Sequence, residues 1–349
     1  MPDNLRNILE SKPVETSAPC RIDMGGTLDI RTFHYPLRRL IPCTFNIAVN
    51  LRTRVRLLPY NKGMIKISSR GFESAEYPLN EAPFDHPLGL MFAIAVYFGA
   101  EGVHIDIDSS SPPRSALGGS SSAAVALVAA FSKAFEQPLP SQAIATLAHA
   151  VEESVAGVPC GFQDQLAAVY GGINLWYWNA DIEGPAFEQK AIIGKKNFKD
   201  MESRLLLAYC GIPHESKNIN GRWVRQFLSG KYHDLWAEII SCTQKFADAL
   251  AEQNFKDAAV AMNRETAIRR KLTPDVLDEI GGKLVSAAIE NNCGARFTGA
   301  GGGGCIWAAG ETKNIDTLRC MWEKVLFKRK DACLLNVNID SEGIVNCEL

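Results

Sequence analysis

The chain has 349 residues, 46% of them hydrophobic, which excludes a disordered chain and gives length enough for two folded domains. Its 37 Lys+Arg against 39 Asp+Glu leave a formal net charge of −2, so it has no basic field to hold nucleic acid or an anionic membrane, and the expected partner is a small molecule. No apolar run reaches bilayer length, and the charged opening "MPDNLRNILESKPVE" lacks a signal-peptide core, so a cytoplasmic protein is expected, either monomer or homodimer.

In chain order, "FNIAVNLRTRVRLLPY", "MIKISSR" and "VHIDIDSS" carry β-branched, alternating patterns and predict strands. From Ser120 the period becomes helical in "SSAAVALVAAFSKAFE" and "SQAIATLAHAVEESVAG", with Ser141 as the expected N-cap of the second helix. "GVPCGFQDQ" interrupts the helices. "SRLLLAYCGI" predicts a strand, "RWVRQFLSGKYHDLWAEIISCTQKFADALAEQ" long helices, and "CIWAAG" and "ACLLNVNID" further strands. The expected architecture is α+β, with a β-rich N-terminal domain over residues 1–190 and an α/β domain over 191–349. The surface segment "NADIEGPAFEQ" is the expected connection between them. Ten cysteines occur singly, with no CxxC pair and no histidine at ligand spacing, and read as reduced thiols filling core space.

Chemistry concentrates in four segments. In "SSPPRSALGGSSSAAVALVAAF", Gly118 and Gly119 precede three serines and a helix start, where free N–H groups and the positive end of the dipole suit a phosphate; a simple serine N-cap is the other reading. No lysine follows in the manner of a P-loop. "FTGAGGGGCIWAAG" has Gly299, Gly301 and Gly304 at GxGxxG spacing. A strand rather than a helix follows, however, which argues against a dinucleotide fold and suggests backbone pressed against a ligand or the first glycine loop. "EESVAGVPCGFQDQ" carries Asp164, suited to taking a hydroxyl proton or holding a metal if it is more than a loop aspartate. "APCRIDMGGTLD" adds Arg21, a glycine pair and Asp29, suited to anions and hydroxyls or to structural ion pairs.

Together these segments resemble the GHMP small-molecule kinases (galactokinase, homoserine, mevalonate and phosphomevalonate kinases), in the right order and over nearly the whole chain. The family's PxxxGLGSSAA loop corresponds to "PPRSALGGSSSAA", with Ala116 at its first glycine and Gly119 at its first serine. The resemblance implies a two-domain fold with its active site in the cleft between domains, and ATP and Mg²⁺ as cofactors. It assigns Pro113, Ser115, Ala116, Leu117, Gly118, Gly119, Ser120, Ser121 and Ser122 to the nucleotide, and Ser120 with Glu153 to the metal, Glu152 being the alternative one residue away. By the same resemblance Asp164 is the catalytic aspartate, Arg21 lies near the transferred phosphoryl, and Gly26, Thr27, Asp29, Gly301 and Gly302 meet the acceptor.

"APCRIDMGGTLD", "GFQDQLAAVYGGIN" and "LLLAYCGIPHESKNIN" look most like the D-glycero-D-manno-heptose phosphate kinases and related anomeric sugar kinases. The expected reaction is transfer of the γ-phosphoryl of ATP to a hydroxyl of a sugar or sugar phosphate, foremost a heptose 7-phosphate. The alternatives are a galactokinase-like or fucokinase-like kinase of a free sugar and a non-catalytic sugar-binding regulator. A phosphorylated acceptor requires a second anion subsite, for which Arg21, Arg38, Arg39 and the "HESK" segment with His214, Ser216 and Lys217 are the candidates.

Overall fold

The computed structural model describes residues 5–157, 159–180, 183–213 and 216–347. Helix α1 (Leu5–Ser11) leads into β1 (Val14–Met24), which is buried along its whole length and therefore has no alternating pattern to betray it in the sequence. After α2 (Arg31–His34) comes β2 (Cys43–Pro59). Its first half is covered on both faces, and only its second half alternates, with Val55 and Leu57 buried and Arg54 and Arg56 exposed. Then follow β3 (Met64–Ser69), β4 (Ala75–Pro78), α3 (Gly89–Tyr97), β5 (Val103–Ser109), α4 (Gly119–Ala134), α5 (Ser141–Ala156), α6 (Gln163–Tyr170), β6 (Ile173–Trp178) and β7 (Phe187–Ala191).

Two local expectations change. Ser141 is the first residue of α5 rather than its N-cap; Pro140 takes that position, and its fixed φ near −65° enters the helix without a side-chain bond. Phe187–Gln189, expected within a surface connection, are strand residues: Phe187 pairs with Trp178 and Gln189 with Trp176. Hydrophobic Phe187 stacks edge-on against Trp176, which draws the segment into the sheet.

The rest of the chain comprises α7 (Phe198–Glu202), β8 (Leu205–Tyr209), α8 (Ser216–Leu228), α9 (His233–Ala251), α10 (Phe255–Leu272), α11 (Glu279–Glu290), β9 (Gly294–Phe297), β10 (Cys305–Ala309), α12 (Thr312–Leu326), β11 (Cys333–Leu335) and β12 (Val345–Cys347). One sheet has the order β12-β1-β2-β5-β3-β4, with β6 on the first half of β2 and β7 beyond it; β3 and β5 are parallel and the other pairs antiparallel. The second sheet, β11-β8-β10-β9, is antiparallel throughout.

Two hydrophobic cores meet along β1 and β2. One joins Ile22, Phe45 and Ile47 to the second sheet and α9–α11, and the other gathers α3, α4 and the far halves of β2 and β5. Helix α4 is buried from Ser121 to Ser132, so it is wedged against β1 with only its N-terminal end open. That opening positions the site. None of the ten cysteines forms a disulfide; six are buried, while Cys320 and Cys333 are exposed and so fall outside the core-filling role. Among the described residues no helix is long and apolar enough to cross a membrane.

Candidate active site

Arg21 and Asp23 lie two apart on β1 and therefore share a face. The Arg21 guanidinium donates from Nε to Asp164 Oδ1 and from Nη2 to Asp164 Oδ2, both at 2.8 Å, and from Nη1 to the Ala116 carbonyl at 2.7 Å. This is the bidentate fork that arginine makes with carboxylates. Asp164 sits in the first turn of α6, where the helix dipole favours its charge. Burial alone would pull the Arg21 pKa down, but Asp164 and Asp23 more than offset it and hold the guanidinium above its ordinary value. The strand, the serine loop and α6 are thus joined at one ion pair.

The serine loop reaches this pair through a left-handed backbone. Ala116 has φ +62° and Gly118 φ +76°. A Cβ on Gly118 would sit 3.3 Å from Asp164 Oδ2, so glycine supplies both the conformation and the open space beside the carboxylate. The second glycine segment packs on the first: a Cβ on Gly304 would lie 2.6 Å from the Ser115 carbonyl, and one on Gly299 would lie 3.3 Å from that of Ala116.

These elements surround a cleft of about 370 Å³. Pro113, Ser115 to Ser121, Arg21, Gly26, Thr27, Asp29 and Asp164 all line it. Ser122 does not. It is buried, and its hydroxyl donates to the Pro19 carbonyl at 2.7 Å, with the Gly118 carbonyl 3.0 Å away, tying α4 to β1. Gly301 and Gly302 are also displaced from the cleft, because a Cβ on either would lie 2.6 Å from Val276 or Ile219; their neighbours Gly299 and Ala300 line it instead.

Glu152, and not Glu153, faces the cleft. Its Oε2 accepts from Ser121 Oγ at 2.8 Å and from Gln165 Nε2, and burial pushes its pKa up to about 7, whereas Glu153 is exposed. The α5 pattern carries the signal: Ile144, Ala145 and Ala148 are its buried face, and Glu152 is the next residue on that face.

Around Asp29 the cleft is lined by two residues that sequence reading did not select, Gln163 and Asn220. Asp29 Oδ2 accepts from the Gln163 N–H at 3.0 Å, while Asp29 Oδ1, Gln163 Oε1 and Asn220 Oδ1 are buried without a partner among the described residues, and all three residues line the cleft. Burial raises the Asp29 pKa to about 6, and the charges of Asp164 and Asp23 add to the effect. Phe72, Leu88, Met91, Ile107 and Pro112 add apolar surface to the lining, beside Ser69, Arg70, Ser109 and Ser111. Arg38 and Arg39 are exposed outside the lining; His214 lies outside the described residues, as do the side chains of Ser216 and Lys217.

Residues 88–172, which contain α3 to α6 with the serine loop, Glu152 and Asp164, match the family model "GHMP kinases N terminal domain". Over these residues the chain is similar to that domain. A D-glycero-alpha-D-manno-heptose 7-phosphate kinase from Campylobacter jejuni is 24% identical to it over 85% of this chain and 89% of that protein. A mevalonate kinase from Thermococcus onnurineus is 26% identical over 77% of this chain and 83% of its own length. The fold as a whole matches a solved structure: that of Lactococcus lactis galactokinase complexed with galactose superposes with a TM-score of 0.75 at 16% identity, covering 96% of this chain and 95% of that one.

Proposed function

We propose that the protein is an ATP-dependent kinase that transfers the γ-phosphoryl group to a hydroxyl of a sugar or sugar phosphate, with a heptose 7-phosphate as the foremost acceptor. The observation that carries this reading is the Arg21–Asp164 fork at the open N-terminal end of α4, in one cleft with three buried oxygens that have no partner among the described residues. A helix N-terminus with a glycine turn suits a polyphosphate, and the apolar part of the lining suits a nucleobase. Unpartnered buried acceptors want O–H donors, which a polyol supplies in number.

Asp164 orients the acceptor hydroxyl. Both its oxygens receive Arg21, yet each keeps a second lone-pair direction, and a hydroxyl donating there is aligned for in-line attack and can give up its proton. Arg21, held fully protonated, offsets charge on the transferred group. The donor set fits Mg²⁺: Ser120 offers an exposed hydroxyl and Glu152 a half-buried carboxylate with no salt bridge among the described residues, and both would offer oxygen to the ion. When bound, the ion would neutralise phosphate charge.

Mevalonate carries a carboxylate, which Asp29 would repel. A free sugar is the second reading, favoured by charge. Among the described residues lining the cleft the cations are Arg21, committed to Asp164, and Arg70 and Arg114, beside the Ser109–Pro113 stretch. The test is ADP release with saturating Mg·ATP and heptose 7-phosphate, free heptose, galactose or mevalonate. We expect heptose 7-phosphate to exceed the free sugars at least tenfold in kcat/KM, and Asp164→Asn to lower kcat by about 100-fold while retaining nucleotide binding. Equal or better use of a free sugar selects the second reading, and no sugar-dependent ADP release rejects both.

A further inference from the structure

Behind the Arg21–Asp164 fork runs a chain of charges that the reaction itself does not use. Asp23 is fully buried, 3.5 Å from Arg21 Nη1, and accepts from Arg296 Nη1 at 3.2 Å and from the Gly299 N–H at 2.6 Å. Arg296 donates from Nε to Glu265 Oε2 at 2.9 Å, and Arg269 donates from Nε to Glu265 Oε1 at 2.8 Å. Arg269 then returns to the acceptor loop, donating from Nη2 to the Gly26 carbonyl at 2.5 Å and from Nη1 to Thr27 Oγ1 at 3.4 Å. Its guanidinium carbon lies 4.7 Å from the Trp223 ring and 4.8 Å from that of Trp236. Glu265, Arg269 and Arg296 are 0% exposed, so no solvent competes for any link.

The signs alternate from Asp164 through Arg21, Asp23, Arg296 and Glu265 to Arg269, so every charge has an opposite neighbour and the chain sums to neutral. Such buried arrays stabilise a fold little better than apolar packing of the same volume does, while each link fixes direction as well as distance. This array begins at the reacting aspartate and ends on the loop bearing Gly26, Thr27 and Asp29. Its three distal members come from α10 and β9. The Trp223 and Trp236 rings leave Arg269 no other place to go.

We propose that Glu265, Arg269 and Arg296 are positioning residues for the site: through Asp23 they fix Arg21 and its hold on Asp164, and through the Gly26 carbonyl and Thr27 hydroxyl they fix the acceptor loop. The proposal rests on the kinase reading for its consequence in turnover and on geometry alone for its consequence in loop order. Loosening Arg269 frees residues 25–30, whose turn is held by the Leu28 N–H on the Gly25 carbonyl and the Ile30 N–H on the Thr27 carbonyl. The nucleotide loop, held from α4 and β1, stays in place.

The test compares Arg269→Met, Arg269→Lys and Thr27→Val with the full-length wild type. Hydrogen–deuterium exchange is followed over residues 21–30 and over α4, nucleotide sites are counted by titrating a non-hydrolysable Mg·ATP analogue, and kinetics use heptose 7-phosphate and galactose as acceptors. We expect Arg269→Met to exchange at least fivefold faster over residues 25–30, with α4 unchanged and nucleotide affinity within twofold. Acceptor KM should rise tenfold or more while kcat per nucleotide site stays within threefold, and Arg269→Lys should recover most of both losses. If Arg269→Met does not fold, Thr27→Val, which removes the hydroxyl end of the link, must show the same direction in exchange over residues 25–30; the decision then rests on exchange, because Thr27 itself lines the cleft. The proposal is overturned if exchange at 25–30 is unchanged, or if it rises equally in α4 and activity falls only with the count of nucleotide sites. Should the wild type phosphorylate neither sugar, the kinase reading fails while the exchange comparison still decides the positioning role.

Discussion

Asp29 is a carboxylate in surroundings that disfavour its charge: Oδ2 accepts from the Gln163 N–H, Oδ1 has no partner among the described residues, and its pKa is raised to about 6, first by burial. A folded-state pKa above the ordinary carboxylate value means that stability from Asp29 is fully present below about pH 4 and is lost as pH rises through 6, on the order of 3 kcal/mol at most. The ionised form, costly to the fold, is the better hydroxyl acceptor. Acceptor kcat/KM should therefore climb between pH 5 and 7 in the wild type. Asp29→Asn should flatten that limb and raise acceptor KM about tenfold, and a pH profile unchanged by the substitution would remove Asp29 from the acceptor subsite. Arg21, Asp29 and Asp164 were legible because each sits beside glycines in a short motif. Glu265, Arg269 and Arg296 were not, because a charged residue in a helical or strand pattern reads as solvent-facing until its partners, far away in sequence, are known.

At the scale of elements, legibility followed the strength of period. Helix α4 and the second half of β2 announce themselves, the one by its apolar run after "GGSSS" and the other by alternation. Strand β1 does not, since it is buried on both faces and interrupted by Pro19, where its register with β2 shifts at a bulge. Helix α5 lies between these cases. Motif spacing alone left Glu152 and Glu153 one residue apart, but a helix turns 100° per residue, so only one of them can share the face of Ala148. If metal is held from that face, Glu152→Gln, which can still accept from Ser121, should raise the Mg²⁺ concentration for half-maximal activity tenfold or more. Glu153→Gln should leave it within twofold. Titrating Mg²⁺ at fixed ATP separates them, and the reverse order would return the role to Glu153.

At the scale of the whole molecule, the first sheet is completed from the far end of the chain. Strand β12 pairs with β1 through Glu15–Cys347, Thr16–Asn346 and Ser17–Val345, and the segment before it is clamped by Arg52. That guanidinium donates to the Ser17 carbonyl at 2.8 Å, the Gly343 carbonyl at 2.6 Å and the Asp340 carboxylate. The same segment supports α6, because the Ile344 N–H reaches the Val169 carbonyl at 3.1 Å and a Cβ on Gly343 would lie 2.1 Å from that oxygen. Nothing local in "NVNIDSEGIVNCEL" announces this return, which depends on a pairing more than three hundred residues distant. Arg52→Ala would leave Asp340, 8% exposed, without its guanidinium partner and would free the Gly343 carbonyl. Charge-assisted hydrogen bonds of this kind contribute about 1.5–3 kcal/mol each, and the partial exposure of Arg52 discounts the sum, so a net loss of about 2–3 kcal/mol is expected. Urea unfolding followed by tryptophan fluorescence should register it as a lower midpoint with the slope unchanged. Because the loosened segment bears on α6, and α6 carries Asp164, kcat should fall further than the folded fraction does while the affinity for Mg·ATP, which we propose is set from α4, is kept. A loss of stability with kcat per folded molecule unchanged would mean that the chain closure holds the sheet without reaching the site.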